Sequence, residues 1–153
     1  MKTSRAVAVG IGLLAIFVCW STTVQAGPSL WPNNKGEICL QNQGPGPGTG
    51  EVARIAVMRT IGNNYIVHGF VTETSGKKTL VNGNAIIEGD QILMNVTSSG
   101  FNETSGEAHG FVGRVELDAS TLAGQVMGVG FHCNGGCGLN YDGIQQLAPI
   151  PCP

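Results

Sequence analysis

The sequence has few charged residues and few aromatic residues. Charged residues make up 12% and aromatic residues 6% of the 153-residue chain, whereas about a quarter of an average globular domain is charged. Lys77–Lys78 is the only basic pair, and the formal net charge is −2. Nucleic-acid binding depends on clustered lysines and arginines that replace counterions. We therefore expect no nucleic-acid partner, and the chain length allows a single domain.

Catalytic motifs are also missing. The sequence contains neither a Gly-x-Ser-x-Gly elbow nor a His-Glu-x-x-His pair, which mark two common classes of hydrolase. The carboxylate pairs Glu88/Asp90 and Glu116/Asp118 flank predicted turns, whereas glycosidase chemistry needs two carboxylates across a cleft. We expect a protein that is not an enzyme and that carries no cofactor and no metal.

Long apolar runs are absent except at the amino terminus. Lys2 and Arg5 precede the apolar run 6–18, and residues 24–26 (Val-Gln-Ala) are typical of a cleavage site. The run is too short to span a bilayer comfortably. Residues 1–26 are predicted to be a secretory signal peptide, so the protein would be secreted or periplasmic with no membrane span after cleavage. The alternatives are a retained anchor and a lipoprotein signal that ends at Cys19.

Removal of the signal would change the formal net charge to −4 and leave four cysteines. An even number of cysteines in an exported protein indicates disulfides. Three pairings are possible. We favour Cys39–Cys152 with Cys133–Cys137, because Cys152 lies next to the last residue and a bridge there would tie the tail to the body.

The remaining sequence is rich in glycine and in short β-like runs. The chain has 24 glycines, and the Gly/Pro stretch 43–50 cannot sustain a helix. Runs rich in Val, Ile, Phe and Thr, bounded by turn residues, predict strands. These runs are 37–41, 52–60, 64–74, 79–88, 91–98, 107–117 and 122–131.

Short connections force neighbouring strands to be antiparallel, and a meander of this kind avoids exposed edges by closing on itself. We predict an all-β, antiparallel up-and-down β-barrel of about eight strands, stabilised by disulfides. The predicted domains are a Gly/Pro-rich segment at 27–50 and the barrel at 51–153.

Three turn-and-strand patterns carry a family resemblance. They are Tyr65-x-Val67-x-Gly69, residues 82–85 (Asn-Gly-Asn-Ala) and residues 116–124. Over roughly residues 52–131 the chain resembles small bacterial secreted proteins with a lipocalin-like, calycin-type barrel. The Gly-x-Trp motif of true lipocalins is missing at Trp31. The resemblance implies a barrel with a ligand cavity and carries over no functional residue.

Two histidines are candidate ligand contacts. His109 alternates with Phe111 and Val115, which places it on the inner face. By the same phase, His68 would share an inner face with Phe70. A polar group that faces a barrel interior needs a partner, and a ligand would supply one. The leading hypothesis is non-catalytic binding of a small, partly apolar ligand.

Two other functions remain open. A barrel with a filled core would act through its outer surface and through loops at 44–50 and 134–140, as a protein-interaction or inhibitor module. The second is a metal-dependent enzyme at residues 132–137, where His132, Cys133 and Cys137 have the residue types and spacing of zinc ligands.

Overall fold

A computed structural model describes residues 31–33, 35–45, 48–103 and 105–153, with the main chain alone at 140–142. The predicted signal peptide, residues 1–26, lies outside the described residues. The described chain forms eight strands. They are β1 (Lys35–Asn42), β2 (Val52–Arg59), β3 (Asn64–Thr72), β4 (Lys78–Glu88), β5 (Gln91–Asn102), β6 (Glu107–Asp118), β7 (Gly124–Cys133) and β8 (Cys137–Pro149).

The eight strands form one closed antiparallel barrel in which each strand pairs with its neighbours in the sequence. The predicted fold class is therefore confirmed. Tight turns make this order possible, as between β4 and β5, where Glu88 pairs with Gln91. Gly89 occupies the first position of that two-residue turn with a φ of 60°, a conformation that glycine adopts without a steric cost.

The barrel closes between β1 and β8, and β1 belongs to it. Leu40 pairs with Pro149 and Asn42 with Leu147, while the rest of β1 pairs with β2. The barrel thus begins at Lys35 and not at residue 51, because the segment before the Gly/Pro stretch supplies the closing strand. β8 was not predicted as a strand, and its start at Cys137 turns most of the expected 134–140 loop into a hairpin.

One disulfide ties the carboxyl-terminal tail to β1, and a second joins the end of β7 to the start of β8. Cys39 bonds to Cys152 with a Cα–Cα distance of 5.2 Å, and Cys133 bonds to Cys137 across the β7–β8 hairpin with a Cα–Cα distance of 4.0 Å. The favoured pairing of the three is therefore confirmed. Disulfides persist in oxidising compartments, so the chain is built for an oxidising environment.

Large apolar side chains fill one end of the barrel, which we call the closed end. It is bounded by the turns at 60–63, 89–90 and 119–123. Trp31 is 1% exposed, and its ring meets that of Tyr65 edge-on with centroids 5.5 Å apart. Ile92 and Leu117 are also buried there. Burial of such side chains is the main stabilising term of a small domain.

Candidate functional site

The opposite end of the barrel, which we call the open end, contains a cavity of about 270 Å³. This end carries the β1–β2 connection, the turns at 73–77 and 103–106, and the β7–β8 hairpin. All eight strands contribute to its wall. The cavity is thus a property of the closed barrel and not of one loop.

The cavity exists because inward side chains are smaller at the open end than at the closed end. Valine is the commonest residue of its apolar wall, which is formed by Leu40, Ala53, Ile55, Val71, Val81, Met94, Val96, Phe111, Val115, Val126 and Leu147. No tryptophan or tyrosine is among the described residues that line the cavity, and smaller side chains leave unfilled volume. An engineered apolar cavity of about 150 Å³ binds benzene, and this cavity therefore has room for a ligand of roughly ten non-hydrogen atoms.

Three glycines shape the inner wall near Phe111. A Cβ atom on Gly113 or on Gly128 would overlap with the ring of Phe111, so the ring lies flat across these two positions. Phe111 therefore lines the cavity from one side instead of crossing it. On β5, a Cβ atom on Gly100 would overlap with the imidazole of His109, which fixes that ring against the wall in the same way.

Both ring nitrogens of His109 have a hydrogen-bond partner, which fixes the orientation of the ring. Lys77 Nζ lies 3.0 Å from its Nδ1, and Thr79 Oγ1 lies 3.0 Å from its Nε2. An ammonium group only donates, so Nδ1 accepts and Nε2 carries the proton and donates to Thr79. The Thr79 side chain is buried, at 6% exposure, and this bond satisfies it.

A second buried polar pair lies on the β1–β8 side of the cavity. Asn42, 6% exposed, donates from Nδ2 to Gln145 Oε1 at 2.8 Å. Its Oδ1 accepts from the Gly44 main-chain N–H at 3.1 Å. Both polar pairs are therefore internally satisfied, which allows the cavity to be polar at its mouth at little cost in free energy.

Two carboxylates complete the mouth. Glu51 and Glu73 both line the cavity, and they sit one register position beyond the paired residues Val52 and Thr72. Glu73 accepts a hydrogen bond from Ser75 Oγ at 3.2 Å. Among the described residues that line the cavity there is no lysine and no arginine, so its charged lining is acidic.

The structure separates the four predicted ligand contacts into two pairs. His109 and Phe111 line the cavity, as their alternation with Val115 predicts. His68 and Phe70 do not: His68 lies on the outer surface, where Nδ1 is 2.6 Å from Asn82 Oδ1. Phe70 is covered from outside by Lys78, whose Nζ is 4.6 Å from the ring centroid.

The expected inward orientation of His68 is wrong for a physical reason. β3 has apolar residues on both of its faces. Tyr65 and Val67 are buried, and Val71, on the same face, is partly buried against the core. Ile66, in the phase of His68, is 48% exposed. Tyr65 packs on Trp31, and this large buried contact decides which face of the strand turns inward.

Sequence reasoning did not identify Asn42, Glu51, Glu73, Thr79 or Gln145 as site residues. Asn42 and Glu51 flank the Gly/Pro stretch that was predicted to precede the barrel. Glu73 and Thr79 flank the β3–β4 turn, which is a usual place for solvated polar residues. Only the closure of the barrel brings these positions to one mouth.

The three residues predicted as possible zinc ligands are engaged in other contacts. Cys133 and Cys137 bond to each other, so their sulfurs are not the thiolates that zinc requires. His132 Nδ1 lies 3.1 Å from Glu107 Oε1. Among the residues that the structure describes, no three His, Cys, Asp or Glu side chains are grouped for a metal ion. The disulfide removes the basis for a metal site at residues 132–137.

The outer surface of β6–β8 carries several exposed apolar side chains. Val112 pairs with Val129, and Phe131 pairs with Leu139. Leu139 is 82% exposed and Val112 is 61% exposed. An interaction through the outer surface, the alternative to ligand binding, would have this strip available.

Comparison of the chain with protein-family models, with curated proteins and with solved structures finds no match. The lipocalin-like resemblance therefore stays a prediction, and the geometry of the barrel is the basis for a function. In the described part of the chain, no helix has the length and hydropathy needed to cross a membrane.

Proposed function

We propose that this protein is an exported, lipocalin-like barrel that binds a small, partly apolar molecule in its cavity and does not transform it. The observation that supports this most strongly is the cavity of about 270 Å³ at the open end. Ligand cavities are usually mostly apolar, with a few polar groups that fix the orientation of the ligand. Here the wall is apolar, and the polar groups are confined to the mouth.

The size of the cavity limits the ligand. Ligand pockets commonly range from about 300 to 1,000 Å³, so this cavity lies near the lower end. A long acyl chain or a polycyclic molecule would not fit without displacement of Phe111 or of the β1–β2 connection. The proposed ligand is one aromatic ring, or a short branched hydrocarbon, with a polar group that reaches the mouth.

The signal-like amino terminus and the two disulfides support an exported location. Both described disulfides lie within the barrel or join its last residues to β1, and such bonds persist in oxidising compartments. We propose that the barrel acts outside the cytoplasm, in the periplasm or after secretion.

Ligand retention and direct binding test the proposal. Native mass spectrometry of the protein purified from its own host should show an adduct of small mass that is lost on unfolding. A titration with 2-phenylethanol, a neutral molecule of suitable size, should shift the NMR signals of the cavity-lining methyl groups of Val81, Met94 and Val115.

A matched pair of variants locates the binding. Val96→Phe replaces a small aliphatic side chain on the cavity wall with an aromatic ring and should abolish the NMR shifts caused by 2-phenylethanol. Val112→Phe adds the same volume on the outer surface of the neighbouring strand and should leave them intact. Equal effects of the two variants, or no shift with the unmodified protein, would contradict the proposal and favour an interaction through the outer surface.

A further inference from the structure

Phe111 differs from the other apolar residues of the cavity in shape and in exposure. It is the one Phe, Tyr or Trp among the described residues that line the cavity. Its inward neighbour Val115 is buried, and so is Met94 on β5, whereas Phe111 is only partly buried. Because Phe111 faces inward, the accessible part of its ring belongs to the cavity.

The ring of Phe111 lies along the wall that β6 and β7 form. A Cβ atom on Gly113 would overlap with Cε1 and Cζ of the ring, and a Cβ atom on Gly128 would overlap with Cζ. Gly113 and Gly128 are paired residues of the two strands, so the outer edge of the ring covers the junction between them. One side of the ring is therefore turned to the main chain and the other to the lumen.

This level of the wall leaves the lumen in front of the ring open. Gly113 pairs with Gly128, and Gly128 pairs with Gly143 on β8, so three paired positions lack side chains. Side chains at these positions would occupy the space in which the ring lies and would force it toward the barrel axis. Their absence allows a large aromatic residue to line the cavity without filling it.

The wall opposite Phe111 is aliphatic. In a barrel of eight strands in sequence order, β2 lies across the axis from β6, and β2 and β3 contribute Ala53, Ile55 and Val71 to the cavity. A ligand in the cavity is thus held between a phenyl ring and hydrocarbon. An aromatic ligand gains an offset-stacked or edge-to-face contact in addition to its buried area, whereas a saturated ligand gains the buried area alone.

We propose that Phe111 determines the specificity of the cavity and that the ligand is an aromatic molecule that stacks against its ring. This inference rests on the proposed function, and it chooses the aromatic ring over the branched hydrocarbon that the cavity volume also allows. The ligand ring lies between Phe111 and the aliphatic side chains of β2 and β3, and its polar group points to the mouth. No bond forms or breaks in this binding.

Two alcohols that differ in the saturation of one ring test the preference. 2-Cyclohexylethanol is larger and more apolar than 2-phenylethanol, so burial alone predicts that it binds at least as tightly. Contact with Phe111 should reverse this order and make 2-phenylethanol about fivefold tighter, as is usual for one aromatic pair. NMR titrations that follow the methyl groups of Val81, Met94 and Val115 measure both affinities.

A matched pair of variants assigns the preference to Phe111. Phe111→Leu removes the aromatic ring and keeps an apolar side chain, so the ratio of the two affinities should fall to about one or below. Met94→Leu changes another apolar residue of the cavity wall with nearly conserved volume, and it should leave the ratio unchanged.

A measurement on the unmodified protein covers the case in which Phe111→Leu folds poorly. The ring protons of bound 2-phenylethanol should show nuclear Overhauser effects to the ring protons of Phe111. Effects that reach only the methyl groups of Ile55 and Val71 would place the ligand away from the phenyl ring and would overturn the inference.

The outcomes separate this inference from the proposed function. If 2-cyclohexylethanol binds in the cavity at least as tightly as 2-phenylethanol, the inference is overturned and the proposed function stands. If the preference for 2-phenylethanol persists in Phe111→Leu, the inference is likewise overturned. If neither alcohol shifts the cavity-lining methyl groups, the proposed function fails, and the inference fails with it.

Discussion

The two disulfides should contribute very unequally to stability. Cys39–Cys152 has a sequence separation of 113 residues and Cys133–Cys137 a separation of 4. In the chain-entropy model, a crosslink stabilises the fold by restricting the unfolded chain, and the effect grows with the logarithm of the loop length. The long loop gives about 4.8 kcal/mol and the short loop about 1.9 kcal/mol.

Burial of the cysteines should increase the difference in stability between the two disulfides that loop length produces. Cys39 is 3% exposed, and Cys137 is exposed. Replacement of the buried cysteine by alanine therefore removes apolar contacts in addition to the crosslink. The ratio of the two losses should be at least about 2.5, as the loop-length term alone gives.

Urea unfolding of Cys39→Ala/Cys152→Ala and of Cys133→Ala/Cys137→Ala measures the two losses. With an m-value of about 1.5 kcal/mol/M, the midpoint should fall by about 3 M for the first variant and by about 1.3 M for the second. Equal shifts, or a larger shift for the hairpin disulfide, would refute the reasoning. In that case the tail would be held mainly by noncovalent contacts such as Arg54 Nη1 to the Pro153 carbonyl at 3.1 Å.

Three further predictions follow from single contacts. Gly100→Ala would push the imidazole of His109 off Thr79, so the NMR signals of the ring should move, and an unsatisfied buried hydroxyl should cost about 1–3 kcal/mol in chemical unfolding. Trp31→Ala should lower the free energy of unfolding by about 3–5 kcal/mol because this ring fills the closed end, and a loss below about 1 kcal/mol would contradict that role. Hydrogen bonds from Ser120 and Thr121 lower the pKa of Asp118, so the native state favours the ionised carboxylate. Asp118→Asn should therefore melt at a lower temperature than the unmodified protein at neutral pH, and the difference should disappear as the pH falls below about 4 and through the lowered pKa; a difference that is the same at all pH values would contradict this.

The strands that are easiest to predict are those with local signals. β2–β7 contain runs of Val, Ile and Thr that end at Gly, Asn or Asp, and their antiparallel order follows from short turns. β8 has no such signal, because its middle holds Asn140, Asp142 and Gly143. It becomes a strand because β7 on one side and the last residues of β1 on the other supply hydrogen-bond partners. That contribution is tertiary, and a local pattern cannot contain it.

The candidate site was only partly predictable, because tertiary contacts decide which way some of its predicted side chains point. The tetrapeptide His-Gly-Phe-Val occurs at residues 68–71 and 109–112, yet His109 faces the cavity and His68 faces outward. In β6 the alternating residues Val115 and Leu117 fix the phase. In β3 both phases contain apolar residues, and the contact of Tyr65 with Trp31 decides.

The existence of the cavity was beyond local reasoning. It depends on the sum of inward side-chain volumes from all eight strands at one level of the barrel, and therefore on the register of every pair. The acidic mouth has the same origin, since Glu51 and Glu73 are 22 positions apart in the sequence and become neighbours only through the pairing of Val52 with Thr72.

The most direct test of the central claim is a crystal structure of the protein pressurised with xenon. Xenon enters apolar cavities of this kind, and its anomalous signal marks the position. A hollow open end predicts a xenon site in contact with Phe111, Val96 and Val115. A barrel in which these side chains meet across the axis and exclude xenon would contradict the account.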